Sequence, residues 1–150
     1  MKKKLALLAA TLAVMAAGVP TIAHHSFAAE FDSTKPIKLT GAVTKVEWMN
    51  PHAYFYVDAS ELCEAPPAAT GQTPAWKCGK VAKAVNWGLE MGSPNGLMRQ
   101  GWSRNTMKAG DVVTVEGSRA KDGSQIANAR AVVTAEGKRL FAASSQGNTP

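Results

Sequence analysis

Apolar residues recur at every second position along most of this chain, and two is the period of a β-strand, whose successive side chains face opposite sides of a sheet. Ile37, Leu39, Gly41 and Val43 share one phase, whereas Val46 and Trp48 share the other. A slip of one residue inside a continuous run is what a β-bulge produces, and Gly41 nearby gives the backbone room to bend. One long strand serving two parts of a curved sheet is therefore expected.

Further runs follow at short intervals. After a turn at Asn50 and Pro51, residues 52–59 place Tyr54 and Tyr56 on one face and Ala53, Phe55 and Val57 on the other. Residues 81–90 put Val81, Val85, Trp87 and Leu89 together. Ser93 and Pro94 then supply an N-cap and a first helical position, and Gly101 a stop. The helix between them has at most two turns, contributes Leu97 and Met98, and is weakened by Gly96. Residues 112–117 form a fourth strand, Asp122-Gly123 a two-residue hairpin turn, and residues 125–134 a fifth strand, with a short piece ending near Phe141.

Three strands, a short helix and two more strands, the first of them bent, define an all-β fold. The order is that of an OB-fold-like five-stranded barrel, with its one short helix between strands 3 and 4. A β-sandwich is the alternative, but it needs about seven strands, which the pattern does not supply. The barrel domain is expected over residues 37–141, preceded by an arm at 24–36. The small, polar tail at 142–150 is expected to carry no regular structure.

The first 23 residues read differently. Met1 is followed by Lys2, Lys3 and Lys4, then by an apolar run from Leu5 to Ala17 and a breaker segment containing Gly18 and Pro20. This is the order of a secretory signal peptide. The run is too short for a permanent membrane span, which takes about 20 apolar residues. Thr21 and Ala23 satisfy the small-residue rule for a cut after Ala23, with a cut after Ala16 or Ala17 as the competitor. Export to the periplasm or the exterior is expected. Removing 23 of the 150 residues leaves 127, the size of one ordinary domain, and lowers the net charge from +6 to +3 because three lysines and no acid are lost. The basic balance is thus largely a targeting feature, and a nucleic-acid partner is not expected.

The two cysteines, Cys63 and Cys78, flank a segment rich in proline and small residues. An even count in an oxidising compartment points to a disulfide that pinches the neck of a hairpin. Closing a ring of this size is worth about 3 kcal/mol in the chain-entropy account.

The stretches HHSFAAEFD at 24–32, VTKVEWMNPHAYFYVD at 43–58, SPNGLMRQGW at 93–102 and AGDVVTVEGSRAKDGS at 109–124 resemble a family of small exported proteobacterial proteins, known as domain of unknown function 6152. The likeness covers nearly all of the mature chain, and the His-His start and the Asn-Pro-His triplet are its most specific parts. It implies export and a compact β domain, and it carries no activity.

Function must then come from single residues. The chain holds three histidines, His24, His25 and His52. A cut after Ala23 gives His24 a free α-amine, which with its own imidazole can chelate one metal, and His52 would complete a set of three nitrogens. Such a set suits Cu(II), which takes tetragonal nitrogen sites and heads the Irving–Williams order. The arrangement resembles the histidine brace of copper-dependent polysaccharide oxygenases and of some periplasmic copper carriers. His25 offers a competing mode through amine, backbone amide and imidazole.

The leading expectation is a non-catalytic exported binding module with Cu(II) at these histidines. The alternative is an envelope interaction protein that presents Trp48, Tyr54 and Tyr56 to a glycan, a peptide or a protein partner, the histidines being incidental. Met49, Met91, Met98 and Met107 are scattered and read as core filling. Trp87 shares the phase of Val85 and Leu89 and reads as core. Glu47, Asp58 and Glu90 are candidate paired carboxylates, but their spacing fixes no catalytic separation. No G-x-S-x-G, P-loop or G-x-G-x-x-G pattern is present, so no conventional enzyme is expected. A copper oxygenase using the same nitrogens remains the catalytic variant of the metal reading.

Overall fold

The computed structural model describes residues 27–67 and 72–142. His24, His25, the expected cut after Ala23 and the tail beyond Ala142 lie outside the described residues. Helix α1 (Phe27–Glu30) leads directly into strand β1 (Phe31–Glu47). Next come β2 (Tyr54–Glu64), β3 (Lys77–Glu90), helix α2 (Pro94–Arg99), β4 (Val112–Ala120), β5 (Ile126–Thr134) and β6 (Arg139–Phe141).

The six strands form one sheet in the order β3-β2-β1-β4-β5-β6. A parallel pairing of Gly88, Leu89 and Glu90 with Ile126, Ala127 and Asn128 joins β3 to β5 and closes the first five strands into a ring. This is the connectivity of an OB barrel, in one closed sheet and not the two packed sheets of a sandwich. The short strand β6 pairs with β5 alone and adds a flank to the barrel.

Register shifts help bend the sheet into a closed form, and two of them coincide with glycines. Register shifts occur at Thr40/Gly41 against β2 and at Glu116/Gly117 against β5. At both points a neighbouring backbone crowds the chain: a Cβ on Gly41 would sit 2.1 Å from the Asp58 carbonyl oxygen, and one on Gly117 only 1.7 Å from that of Asn128. Only glycine allows that approach.

The first strand begins at Phe31, not at Ile37, so residues 31–36 of the segment expected as an arm are strand and residues 27–30 are helix. Phe31 and Asp32 pair with Ala120 and Arg119, and the ladder resumes at Pro36 after a register shift. That interruption, with Pro36 lacking an N–H, hides the two-residue period from the sequence. Phe31 is nevertheless buried, and its ring packs 5.7 Å from that of Phe27.

The core follows the alternation read from the sequence. Ala53 just before β2 and Phe55, Val57 and Ala59 within it point inward with Ile37, Leu39 and Val43 of β1, Trp87 and Leu89 of β3, and Val113 and Val115 of β4. Helix α2 is capped by Ser93, whose Oγ accepts a hydrogen bond from the Gly96 N–H, and it delivers Leu97 to the barrel interior.

Candidate functional site

Because Ala53, Phe55 and Val57 point into the barrel, His52, Tyr54 and Tyr56 fall on its outer face. Backbone hydrogen bonds from Ala53 N–H to the Gly92 carbonyl (3.1 Å) and from Met91 N–H to the Ala53 carbonyl (2.8 Å) fasten the start of β2 to the end of β3. Tyr54 is thereby set opposite Glu90, and Tyr56 opposite Gly88.

Glu90 is the pivot of this face. Its residue surface is only 5% exposed, and both carboxylate oxygens are engaged. Oε1 lies 2.6 Å from His52 Nδ1, and Oε2 accepts a hydrogen bond from the Tyr54 hydroxyl. A buried carboxylate is tolerated where it is paired and hydrogen-bonded, and here one imidazole and one phenol perform that role. Among the described residues His52 is tied through Nδ1. That contact leaves Nε2 as the ring atom with a lone pair to offer when Nδ1 carries the proton.

A second hydrogen-bonded group adjoins it. The Tyr56 hydroxyl donates to Glu47 Oε2 at 3.0 Å, and Lys45 pairs with the other oxygen of Glu47. Burial, then the facing carboxylates of Glu90 and Glu47, push the phenols of Tyr54 and Tyr56 above the ordinary tyrosine value. The hydrogen bonds from Lys45 and Tyr56 hold the Glu47 carboxyl below its usual range. The carboxylate of Glu30 in α1 also acts on the Tyr54 phenol, so the N-terminal helix lies within electrostatic reach of the His52–Glu90–Tyr54 cluster.

The other candidate residues separate. Trp48 does not join the tyrosines; it packs toward the core beside Val46, Met91, Trp102 and Met107 in a shallow apolar cleft. Trp87 is core, with the Arg119 guanidinium 5.2 Å above its ring, and the buried Trp102 donates its indole N–H to the Phe141 carbonyl at 2.7 Å. Met91 and Met107 fill the core, whereas Met49 and Met98 are exposed. Asp58 accepts a hydrogen bond from Asn86 at 2.8 Å, so Glu47, Asp58 and Glu90 each have partners of their own and form no carboxylate pair. Cys63 and Cys78 are joined, directly opposite each other in the β2–β3 ladder. Among the described residues, the one set of three potential ligand atoms within 4.8 Å of one another is that of Glu61, Cys63 and Cys78.

Glu90 is the residue that sequence reasoning missed as a partner of His52. Thirty-odd residues separate the two in the chain, and only the register of β2 on β3 brings them together. No spacing rule could have found the pair.

No curated protein and no solved structure matches the chain. The model of a family of unknown function, DUF6152, does match it over residues 12–129, and the chain belongs to that family.

Proposed function

We propose that the protein is an exported, non-catalytic OB-type module that binds Cu(II) through His52 and the histidines at its processed N-terminus. The observation that carries this reading is the contact between the buried Glu90 carboxylate and His52 Nδ1. A carboxylate on one ring nitrogen fixes the tautomer and orientation of a metal-binding imidazole and makes the other nitrogen a better ligand.

Two further features support the same reading. The loop before β2 and the faces of strands 2 and 3 are where OB barrels commonly take ligands, and His52, Tyr54 and Glu90 lie there; this is an argument from analogy of fold. Glu30 at the end of helix α1 acts on the Tyr54 phenol, and from Phe27 at the start of that helix back to His24 is only three residues. The proposal requires that this short segment carry the amine and imidazole of His24 to that face, with His25 as the competing donor. The alternative of an aromatic partner-binding face is less well supported, because Trp48 is turned away and both tyrosine hydroxyls are engaged by carboxylates.

Calorimetric titration of Cu(II) into the chain beginning at His24 tests the proposal. Binding should weaken by one to two orders of magnitude in Glu90→Gln, the usual cost of losing a supporting contact to a ligand. It should also weaken when one extra residue precedes His24. Equal affinity in all three proteins rules the site out.

A further inference from the structure

We propose that Glu61, Cys63 and Cys78 form a second metal site that opens by reduction, in which two thiolates and one carboxylate hold a Zn(II) ion. The argument starts from the β2–β3 ladder. Cys63 faces Cys78 with Leu62–Gly79 and Glu64–Lys77 paired on either side, so backbone pairing flanks the sulfurs independently of the S–S bond. The Cα atoms are 3.9 Å apart, and two sulfurs carried on such neighbours can both reach one ion at the ordinary Zn–S distance of about 2.3 Å.

A third ligand is already in place. The Glu61 carboxylate lies within 4.8 Å of both sulfurs, and among the described residues no salt bridge engages it. Thiolate and carboxylate donors together suit Zn(II), which accepts three protein ligands and a water. Cys78 is exposed, so the fourth position opens to solvent. Two thiolates and a carboxylate around Zn(II) leave one net negative charge. Lys80, opposite Glu61 and two residues from Cys78 along β3, lies on the same face and offsets it.

Opening the site is a balanced exchange. A dithiol reductant attacks the Cys63–Cys78 bond and gives up two electrons and two protons. It leaves as its own disulfide, and two thiols remain on the protein. Zn(II) then displaces the two thiol protons. The oxidised protein cannot bind in this way because both sulfurs are spent on each other.

The test uses the whole chain carrying His52→Ala, so that the copper reading and this one fail separately. Co(II) serves as the spectroscopic probe for Zn(II). The reduced protein should take up one Co(II) per chain with a thiolate-to-metal charge-transfer band that Zn(II) bleaches, and the oxidised protein should show no such band. Adding Glu61→Gln should weaken binding by at least the ten- to hundredfold that loss of even a supporting contact costs. Cys63→Ser with Cys78→Ser should abolish the band. Zn(II) should also raise the Tm of the reduced protein and leave that of the oxidised protein unchanged. The proposal is overturned if the band is missing, if Glu61→Gln binds as tightly as its parent, or if the reduced chain loses its far-ultraviolet circular dichroism and Zn(II) does not restore it.

Discussion

Glu90 shows how one buried charge can organise a surface. Its carboxylate accepts from the Tyr54 hydroxyl and contacts His52 Nδ1, so removing it strands two polar groups at once. A donor left without a partner in a buried setting costs about 1–3 kcal/mol. Both donors here are only partly buried, so Glu90→Ala should lower stability by about 2 kcal/mol in urea unfolding. Tyr54→Phe should cost less in the Glu90→Ala background than in the parent, because the hydrogen bond is already gone; equal costs in the two backgrounds would show that the two side chains do not act together. The Cys63–Cys78 bond was legible in the sequence because two cysteines at the ends of one proline-rich loop pointed to it. Glu90 was not, since a glutamate at the end of a strand is ordinary until the opposite strand supplies an imidazole.

Strands and their irregularities carry the next level of the argument. The phase slip after Val43 was readable and corresponds to a real register shift between Val43 and Lys45, with a further shift at Thr40/Gly41. The bulge at Gly117 was not readable, because the alternation of β4 continues across it. What marks Gly117 is the Asn128 carbonyl pressed against its Cα, a long-range contact. Gly41→Ala and Gly117→Ala should therefore each cost about 1–3 kcal/mol or more, as overpacking does, whereas Gly79→Ala, which meets nothing within 4 Å, should be neutral. Chemical denaturation of the three variants decides this. The added strand β6 makes a separate prediction. Arg139 reaches from β6 across β5 to Glu116 of β4 at 2.8 Å and holds that carboxyl below the usual glutamate range. A lowered carboxyl pKa stabilises the fold above the unfolded-state value and is lost as pH falls through the folded one. Stability should thus decline on the acid side, from below about pH 4.5. In Arg139→Gln that part of the decline should be missing. Since Arg139 is largely exposed, the effect at neutral pH should stay within about 1 kcal/mol.

At the scale of the whole molecule the barrel is closed unevenly, and this sets where it should open first. The seam between β3 and β5 spans only Gly88 to Glu90. Upstream of it, β3 is paired with β2 alone, and four of its residues, 81–84, bulge out opposite Ser60. The β2 half of that hairpin is held on its other side by β1, through Lys38–Cys63 and Ile37–Glu64. The Cys63–Cys78 bond thus ties down the strand end with the fewest neighbours, at the end of the hairpin far from Glu90. Cys63→Ala with Cys78→Ala should cost about 3 kcal/mol globally. Hydrogen exchange should show lost protection concentrated at Lys77–Lys80, with Leu62–Glu64 less affected and Gly88–Glu90 least. Weak local stability of this kind follows from sparse pairing, and exchange reads it directly. The Cu(II) affinity proposed for His52 should be unchanged in the same variant, because the Ala53–Gly92 and Met91–Ala53 hydrogen bonds that set His52 against Glu90 lie on the closed side of the seam. Uniform loss of protection, or a fall in Cu(II) affinity, would mean that the two ends of the hairpin move as one unit.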